Sequence, residues 1–236
     1  CELFGAHKLL EDLKKLENKN TKVVPGPCMG RCHVAPTVCV GKNYVDTADY
    51  NKVKKTIDEK SFEPFIPDYI NLSAYKKNGG YAIADKINNG VISKEQVLVS
   101  LNESGLKGKG GAGFPTGKKW DIVSNYKGKK YVAVNGDEGE PGTFKDRSYL
   151  ESDPHRFLEG ALIASYFINA HKVYIYMRDE YPAVIKILLD EINKMEDEEI
   201  IPKDFFIVRR GAGAYICGEE SAMIESIEGK RGLPRH

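Results

Sequence analysis

Residues 131–230 predict an α/β fold, doubly wound about a mostly parallel sheet, because strand-like and helix-like runs alternate there. Three strand-type runs, YVAVN (131–135), KVYIYMR (172–178) and DFFIVRR (204–210), are each followed by helical sequence. The first run reads as a buried strand. The helical stretch 154–170 is apolar almost all round, which marks a buried helix. The next, 182–195, carries Ile185, Leu188, Leu189 and Ile192 on one stripe, and 218–230 closes the series. Ligands of such folds sit beyond the carboxyl ends of the strands, so the loops after the first and third runs matter most.

Earlier elements follow in order. Leu9, Leu10, Leu13 and Leu16 recur at helical spacing between His7 and Lys19, and 22–24 (KVV) is a short strand closed by Pro25-Gly26-Pro27. An apolar run at 37–40 precedes the turn Gly41-Lys42-Asn43, and a helix at 49–57 completes a small α/β unit over residues 1–60. Residues 61–90 read as an ordered connector, its proline- and aromatic-rich part ending at Gly79-Gly80. The stretch 93–104 (SKEQVLVSLNES) is a helix with a serine cap.

Composition sets bounds. The chain has 236 residues, 41% hydrophobic and 29% charged, as ordinary globular proteins do. A net charge of +1 gives no support for a nucleic-acid or membrane-surface role. No apolar run approaches the roughly 20 residues of a bilayer span. Five cysteines without scaffold spacing suit a reducing compartment, so a cytoplasmic protein is expected. The chain starts at Cys1 and stops at His236 just after a helix-like segment, so a piece of a longer subunit is expected.

Ser104 to Trp120, SGLKGKGGAGFPTGKKW, holds six glycines and four lysines. Gly108, Gly110, Gly111 and Gly113 clear side chains from the backbone, Lys107, Lys109, Lys118 and Lys119 add positive charge, and Phe114 offers a ring face. A flat, phosphorylated cofactor suits such a loop. The spacing Gly108-x-Gly110-x-x-Gly113 matches the dinucleotide pattern, yet the preceding sequence reads as helix and Phe114-Pro115-Thr116-Gly117 reads as a helix breaker. A P-loop is excluded too, since Lys119 stands where serine or threonine should hold magnesium.

After the first strand, Asn135, Asp137, Glu138 and Glu140 gather an amide and three carboxylates, acceptors for sugar hydroxyls or imide groups; a metal site and a solvated acidic turn are the competing readings. After the third, Gly211-Ala212-Gly213 before Tyr215 bares the backbone again, Gly218 leaves a helix N-terminus open, and Glu219 and Glu220 suit the dipole there. Cys217 reads as a small apolar residue. Cys28 and Cys32 form a C-x3-C pair, either half of a thiolate metal site or cluster-free, while Cys39 lies in a β-type run and reads as core.

SGLKGKGGAGFPTGKKW, VNGDEGEPGTFKDR and RRGAGAYICGEESAMIESIEGKRGLPR resemble, in order, the NADH-binding flavoprotein subunit of respiratory complex I. The same module recurs in NAD-dependent formate dehydrogenases and in NAD-linked hydrogenases, the electron-bifurcating ones included. The resemblance runs from about Lys94 to the last residue and implies a Rossmann-like FMN- and NADH-binding domain over 91–236. NADH would pass a hydride to FMN, and electrons would leave singly to iron–sulfur clusters, so no side chain is expected to be catalytic. By the resemblance, Gly108, Gly110, Lys119, Asn135, Asp137, Glu138, Gly218 and Glu219 hold FMN, and Gly111 and Tyr215 are further cofactor-binding candidates. Phe114 would stack on adenine, and Glu140 and Glu220 would bind NADH hydroxyl or amide groups.

The N-terminal part resembles the thioredoxin-like 2Fe-2S domain that accompanies such subunits: PGPCMGRCHVAP is similar to its second cysteine pair, and Cys1 to the second member of the first. Cys1, Cys28 and Cys32 are then the implied ligands. Three departures stand out. The first pair's other cysteine is not in this chain, Ile122 replaces an aromatic of some relatives, and the cysteines of a 4Fe-4S cluster would lie beyond His236. The implied partners are iron–sulfur electron-transfer subunits and a catalytic subunit of formate dehydrogenase or hydrogenase type, in a multi-subunit complex with no nucleic acid and no direct membrane insertion. Ile122 motivates an alternative, an electron-transfer scaffold that has lost NADH binding; the retained glycines, Asn135 and Glu220 count against it.

Overall fold

The computed structural model describes residues 1–109 and 111–235; Gly110 and His236 lie outside the described residues. The small N-terminal unit comprises α1 (Ala6–Leu13), the antiparallel hairpin of β1 (Val38–Val40) and β2 (Asn43–Val45), and α2 (Tyr50–Asp58). The Asp49 carboxylate caps α2 by accepting the Lys52 N–H at 2.8 Å. Leu13, Val40, Val45, Ala48 and Val53 form its core. No strand forms at 22–24. Val23 donates its N–H to the Glu17 carboxylate at 3.0 Å instead of to a neighbouring strand, and the following prolines remove further donors.

Short helices follow: α3 (Leu72–Lys77), α4 (Ala82–Asn88), α5 (Lys94–Glu103) and α6 (Thr116–Ser124). The serine-capped helix is borne out as α5, where Ser93 and Gln96 satisfy each other's backbone N–H groups in a capping box. The breaker expected at Phe114-Pro115-Thr116-Gly117 instead opens α6, with Pro115 as its N-cap. Proline lacks a donor that a first turn would leave unused anyway, and a side chain at Gly117 would run into Asn102 on α5.

The sheet joins β3 (Lys130–Gly136), β4 (Ala170–Met177) and β5 (Phe206–Arg210), all parallel and in that spatial order. The connections carry α7 (Lys145–Ser152) and α8 (Pro154–Ile168) before β4, then α9 (Pro182–Asp197) before β5, and α10 (Glu220–Ile227) ends the chain. Val173, Ile175 and Met177 of β4 pack with Leu158 and Leu162 of α8 and Val184 and Leu188 of α9. Tyr176 points the other way and packs with Cys217 and Met223 of the α10 side. Both connecting helices therefore share one face and α10 covers the other, so helices lie on both faces of the sheet.

Two further expectations are corrected by packing. β3 is an edge strand, with Val132 and Val134 against the core and Tyr131, Ala133 and Asn135 exposed. The buried stripe of α9 comprises Val184, Ile187, Leu188, Glu191, Ile192 and Met195, and leaves Leu189 45% exposed. Glu191 takes the inward position that the apolar stripe alone had assigned to Leu189.

That buried carboxylate is fully used. Glu191 accepts from Lys194 Nζ (2.6 Å), Tyr69 Oη (2.7 Å), the Leu72 N–H (2.9 Å) and His155 Nε2 (2.7 Å). Burial pushes the Glu191 carboxyl up, but the bonds from Lys194, His155, Tyr69 and Leu72 outweigh it and hold the group at about 2. Burial pushes His155 down, so it is neutral; with Nε2 donating to a carboxylate, Nδ1 accepts from Tyr81 Oη at 2.8 Å. Tyr75 Oη donates to Glu159 of α8 at 2.6 Å. Three tyrosines thus strap the expected connector across α8 and α9. Glu191→Ala should cost about 3–5 kcal/mol in urea unfolding, because four donors lose one buried partner; a cost under about 1 kcal/mol would show that the strap holds without it.

Candidate functional site

At the carboxyl end of β3 the chain leaves the sheet at Gly136, where a side chain would collide with Met177 and the Tyr176 carbonyl. The loop after β3 then meets the loop after β5. Asn135 Nδ2 donates to the Gly218 carbonyl at 2.8 Å, and Tyr215 Oη donates to Glu140 Oε2 at 2.8 Å. Gly218 lies against Asp137 so closely that a Cβ would stand 3.3 Å from its carbonyl oxygen. Of the three loops expected to converge, these two do.

The four polar residues of the first loop have different fates. Glu138 is buried and turned inward, where it accepts from the Asp146 N–H (3.2 Å), the Arg147 N–H (3.4 Å) and Tyr181 Oη (3.2 Å). It caps the N-terminus of α7 and has little left for a ligand. Asp137 is different. Its side chain is 7% exposed, its Oδ2 has no hydrogen-bond partner, and its Oδ1 lies 4.0 Å from Arg178 Nε. Burial pushes this carboxyl up to about 6, the Arg178 charge pulls it down, and Glu180 pushes it up again. Asn135 and Glu140 are exposed.

On the second loop, Glu219 caps α10, accepting from the Ser221 N–H (3.1 Å), Ser221 Oγ (2.6 Å) and the Ala222 N–H (2.9 Å). Those hydrogen bonds hold its carboxyl below the usual range. Glu220 and Tyr215 are exposed, and Cys217 is buried as expected. The glycine loop is a tight excursion between α5 and α6: Lys107 bridges Pro115, and the Gly108 N–H donates to the Phe114 carbonyl at 3.1 Å. Gly111 and Gly113 have φ of 143° and 62°, which side chains disfavour, while nothing stands within 4 Å of a Cβ at either. Backbone conformation, rather than crowding, requires glycine there. Phe114 is 45% exposed with Lys118 Nζ 5.9 Å from its ring centroid, and Lys119 is exposed. Ile122 is half-exposed on α6.

Arg178, Tyr181 and Arg147 were not anticipated. Arg178, the first residue after β4, donates to the Glu138 carbonyl (2.9 Å) and the Cys28 carbonyl (2.6 Å) and pairs with Glu180 at 3.3 Å. Arg147 donates to the Gly30 carbonyl at 3.1 Å, and both guanidiniums lie over the Tyr181 ring. The available signal was an arginine ending the apolar run KVYIYMR, a charge where burial should be complete.

Cys1, Cys28 and Cys32 are exposed, and among the described residues no three His, Cys, Asp or Glu side chains gather as a metal site. The structure does not bring Cys1 together with the C-x3-C pair, nor does the acidic loop form a metal cluster. Cys39 is half-buried, and burial pushes its thiol up. It lines a cleft of about 1020 Å³ between the small unit and α9, together with Tyr44, Ile185, Leu189 and Gly211–Gly213.

The family described as the Nuo51 FMN-binding domain matches residues 101–236. An NADH-quinone oxidoreductase subunit of Aquifex aeolicus is 48% identical over 177 residues, 72% of this chain and 41% of the relative. NADH dehydrogenase [ubiquinone] flavoprotein 1, mitochondrial, of Dictyostelium discoideum is 44% identical over 153 residues, 60% of this chain and 32% of the relative. The structure of an NAD+-reducing [NiFe]-hydrogenase in the air-oxidized state superimposes with a TM-score of 0.79 at 27% identity, over 98% of this chain and 44% of that one. The chain spans less than half the length of these relatives. It belongs to the Nuo51 FMN-binding domain family.

Asp137 supplies a test of site against scaffold. Its folded carboxyl lies above the ordinary value of 3.8, so its cost is absent below about pH 4 and complete above about pH 6. Asp137→Asn should therefore stabilise the ligand-free protein by about 1–2 kcal/mol near pH 7.5, discounted for nearby solvent, and by nothing near pH 4. Thermal melts at both pH values check this; destabilisation at the higher pH would mean that the carboxylate is a structural group.

Proposed function

We propose that this chain is the FMN- and NADH-binding part of an oxidoreductase subunit of the NADH dehydrogenase or diaphorase type. The observation that carries the reading is Asp137: a buried carboxylate oxygen without a partner, walled by Gly218 at the carboxyl end of a parallel strand. A ligand hydroxyl or ring N–H is the donor such an oxygen lacks. The glycine-rich loop between α5 and α6, with Lys107, Lys109, Lys118 and Lys119, is the proposed holder of the phosphate of the same ligand.

On this reading Gly108, Gly110, Gly111, Lys119, Asn135, Asp137 and Gly218 hold FMN, while Phe114, Glu140, Tyr215 and Glu220 face NADH. Glu138 and Glu219 serve the site indirectly, by fixing the starts of α7 and α10 beside it. A flavin bound there supplies exchange of an electron pair with a nicotinamide and of single electrons with iron–sulfur centres. The chain's own residues orient the two rings and exclude water, and none needs to act as acid or base. Cys1, Cys28 and Cys32 do not fit an iron–sulfur cluster as they stand, and no step is routed through one.

The relatives named above are subunits of larger assemblies or an NAD+-reducing hydrogenase, which supports iron–sulfur subunits as partners. A catalytic partner of hydrogenase or formate dehydrogenase type and a cytoplasmic address are the finer parts of the proposal. Among the described residues no helix is long and apolar enough to cross a membrane.

The full subunit should yield FMN at one per chain on extraction, and NADH should bleach the flavin; bound FMN that NADH leaves unbleached would favour the scaffold reading. Glu140→Ala and Glu220→Ala should each weaken NADH about tenfold to a hundredfold, as loss of a hydrogen bond to a charged group does, and FMN far less. Titrations that show equal loss for FMN, or none for NADH, would assign these loops to the wrong ligand.

A further inference from the structure

We propose that Arg178 is a positioning residue of the flavin site, whose guanidinium keeps Asp137 ionised and fixes the loop that presents it. The inference rests on the flavin reading above and deepens it. Arg178 stands at the carboxyl end of the central strand with its side chain 6% exposed. Nη1 holds the Glu138 carbonyl at 2.9 Å, so the Glu138–Gly139 peptide, one residue beyond Asp137, is pinned. Nη2 holds the Cys28 carbonyl at 2.6 Å, and Nε faces Glu180 at 3.3 Å and Asp137 at 4.0 Å. The guanidinium carbon lies 5.3 Å from the Tyr181 ring centroid. Lysine, with one nitrogen, cannot serve both carbonyls and two carboxylates from that position.

Charge makes the placement consequential. From the segment after β4, Asp137 is faced by the cation Arg178 and the anion Glu180. On its own loop, the Glu138 carboxylate is turned away to the start of α7, and Glu140 is bonded to Tyr215. From the loop before α10, Gly218 presents backbone only. Burial and Glu180 both favour a neutral Asp137, and Arg178 alone of these opposes them. An ionised acceptor makes hydrogen bonds roughly twice as strong as a neutral one, so the guanidinium sets how tightly a ligand donor is held at a given pH.

The experiment is an FMN titration of the full-length subunit, followed by flavin fluorescence between about pH 5 and pH 8.5, with circular dichroism as the control for folding. Wild-type affinity should fall as pH drops through about 6. In Arg178→Met the fall should begin about one unit or more higher, the shift that removing an adjacent opposite charge produces. Affinity at pH 7 should then be about twofold weaker for a one-unit shift and about tenfold for a two-unit shift, with the gap narrowing towards pH 8.5. Arg178→Lys should keep the wild-type midpoint with a uniform loss, and Asp137→Asn should bind weakly with a flat profile. Glu180→Gln leaves the guanidinium in place and should move the midpoint down, which tests the charge balance even if Arg178→Met does not fold. Unmoved midpoints in Arg178→Met, or in Glu180→Gln, would overturn the inference and leave Arg178 a structural residue. A wild-type subunit that binds no FMN at any pH would overturn the flavin reading itself.

Discussion

Two arginines buried against one tyrosine ring are the constraint on which the site and its surroundings depend. Arg147 and Arg178 flank Tyr181 with their guanidinium carbons 5.9 and 5.3 Å from its centroid. Removing two cations from water costs several kcal/mol each unless every donor finds an acceptor. Their partners are carbonyls of two separate segments, Cys28 and Gly30 in the small unit and Glu138 after β3, and the carboxylates of Glu180 and Glu151, while Arg147 Nε is left without one. The small unit is therefore docked by backbone oxygens that the arginines require. Gly30 completes the fit, since a side chain there would strike the Tyr181 hydroxyl, and Tyr44 adds a bond from its hydroxyl to the Glu180 carbonyl. One polar cluster thus supports the docking, the start of α7 and the loop that carries Asp137.

The acidic run after β3 shows how similar side chains divide their roles by direction. Glu138 is spent inward on backbone N–H groups, Glu140 is held at the surface by a tyrosine, and Asp137 between them is buried with one oxygen unused. A stability-optimised loop would leave no such oxygen, and unmet polar groups of this kind concentrate where a ligand completes them. Gly218 keeps the approach open by leaving out a side chain beside that carboxylate, while Gly136 lets the loop leave the sheet past Met177.

Much of this was legible in the sequence. The strand and helix order from 130 onward, apart from α7, follows from periodicity, the Ser93 cap from local chemistry, and the two ligand-type loops from their position after strands. Other features depend on contacts that no local pattern encodes. The exposure of Tyr131 reflects the edge position of β3, which strand sequence alone does not reveal. Glu191 lies on the buried face of α9 because Tyr69, His155 and Lys194 meet it there, two of them from other elements. Proline at 115 suggested an ending and gave a beginning, since the same missing donor is compatible with both. The roles of Glu138 and Glu219 as caps were hidden because a carboxylate near a ligand loop and one at a helix start look alike in sequence.

The tyrosine strap carries a consequence for how the chain assembles. Its bonds join residues 74 to 122 positions apart, from Tyr81 with His155 to Tyr69 with Glu191. Closing such long loops costs entropy before any contact repays it, whereas α8, β4 and α9 are neighbours along the chain. Loop-closure entropy therefore favours pairing of the sheet with its two helices before residues 69–84 close over them. During synthesis the strap emerges well before the carboxylates that hold it, so the order of assembly runs against the order in which the chain is made.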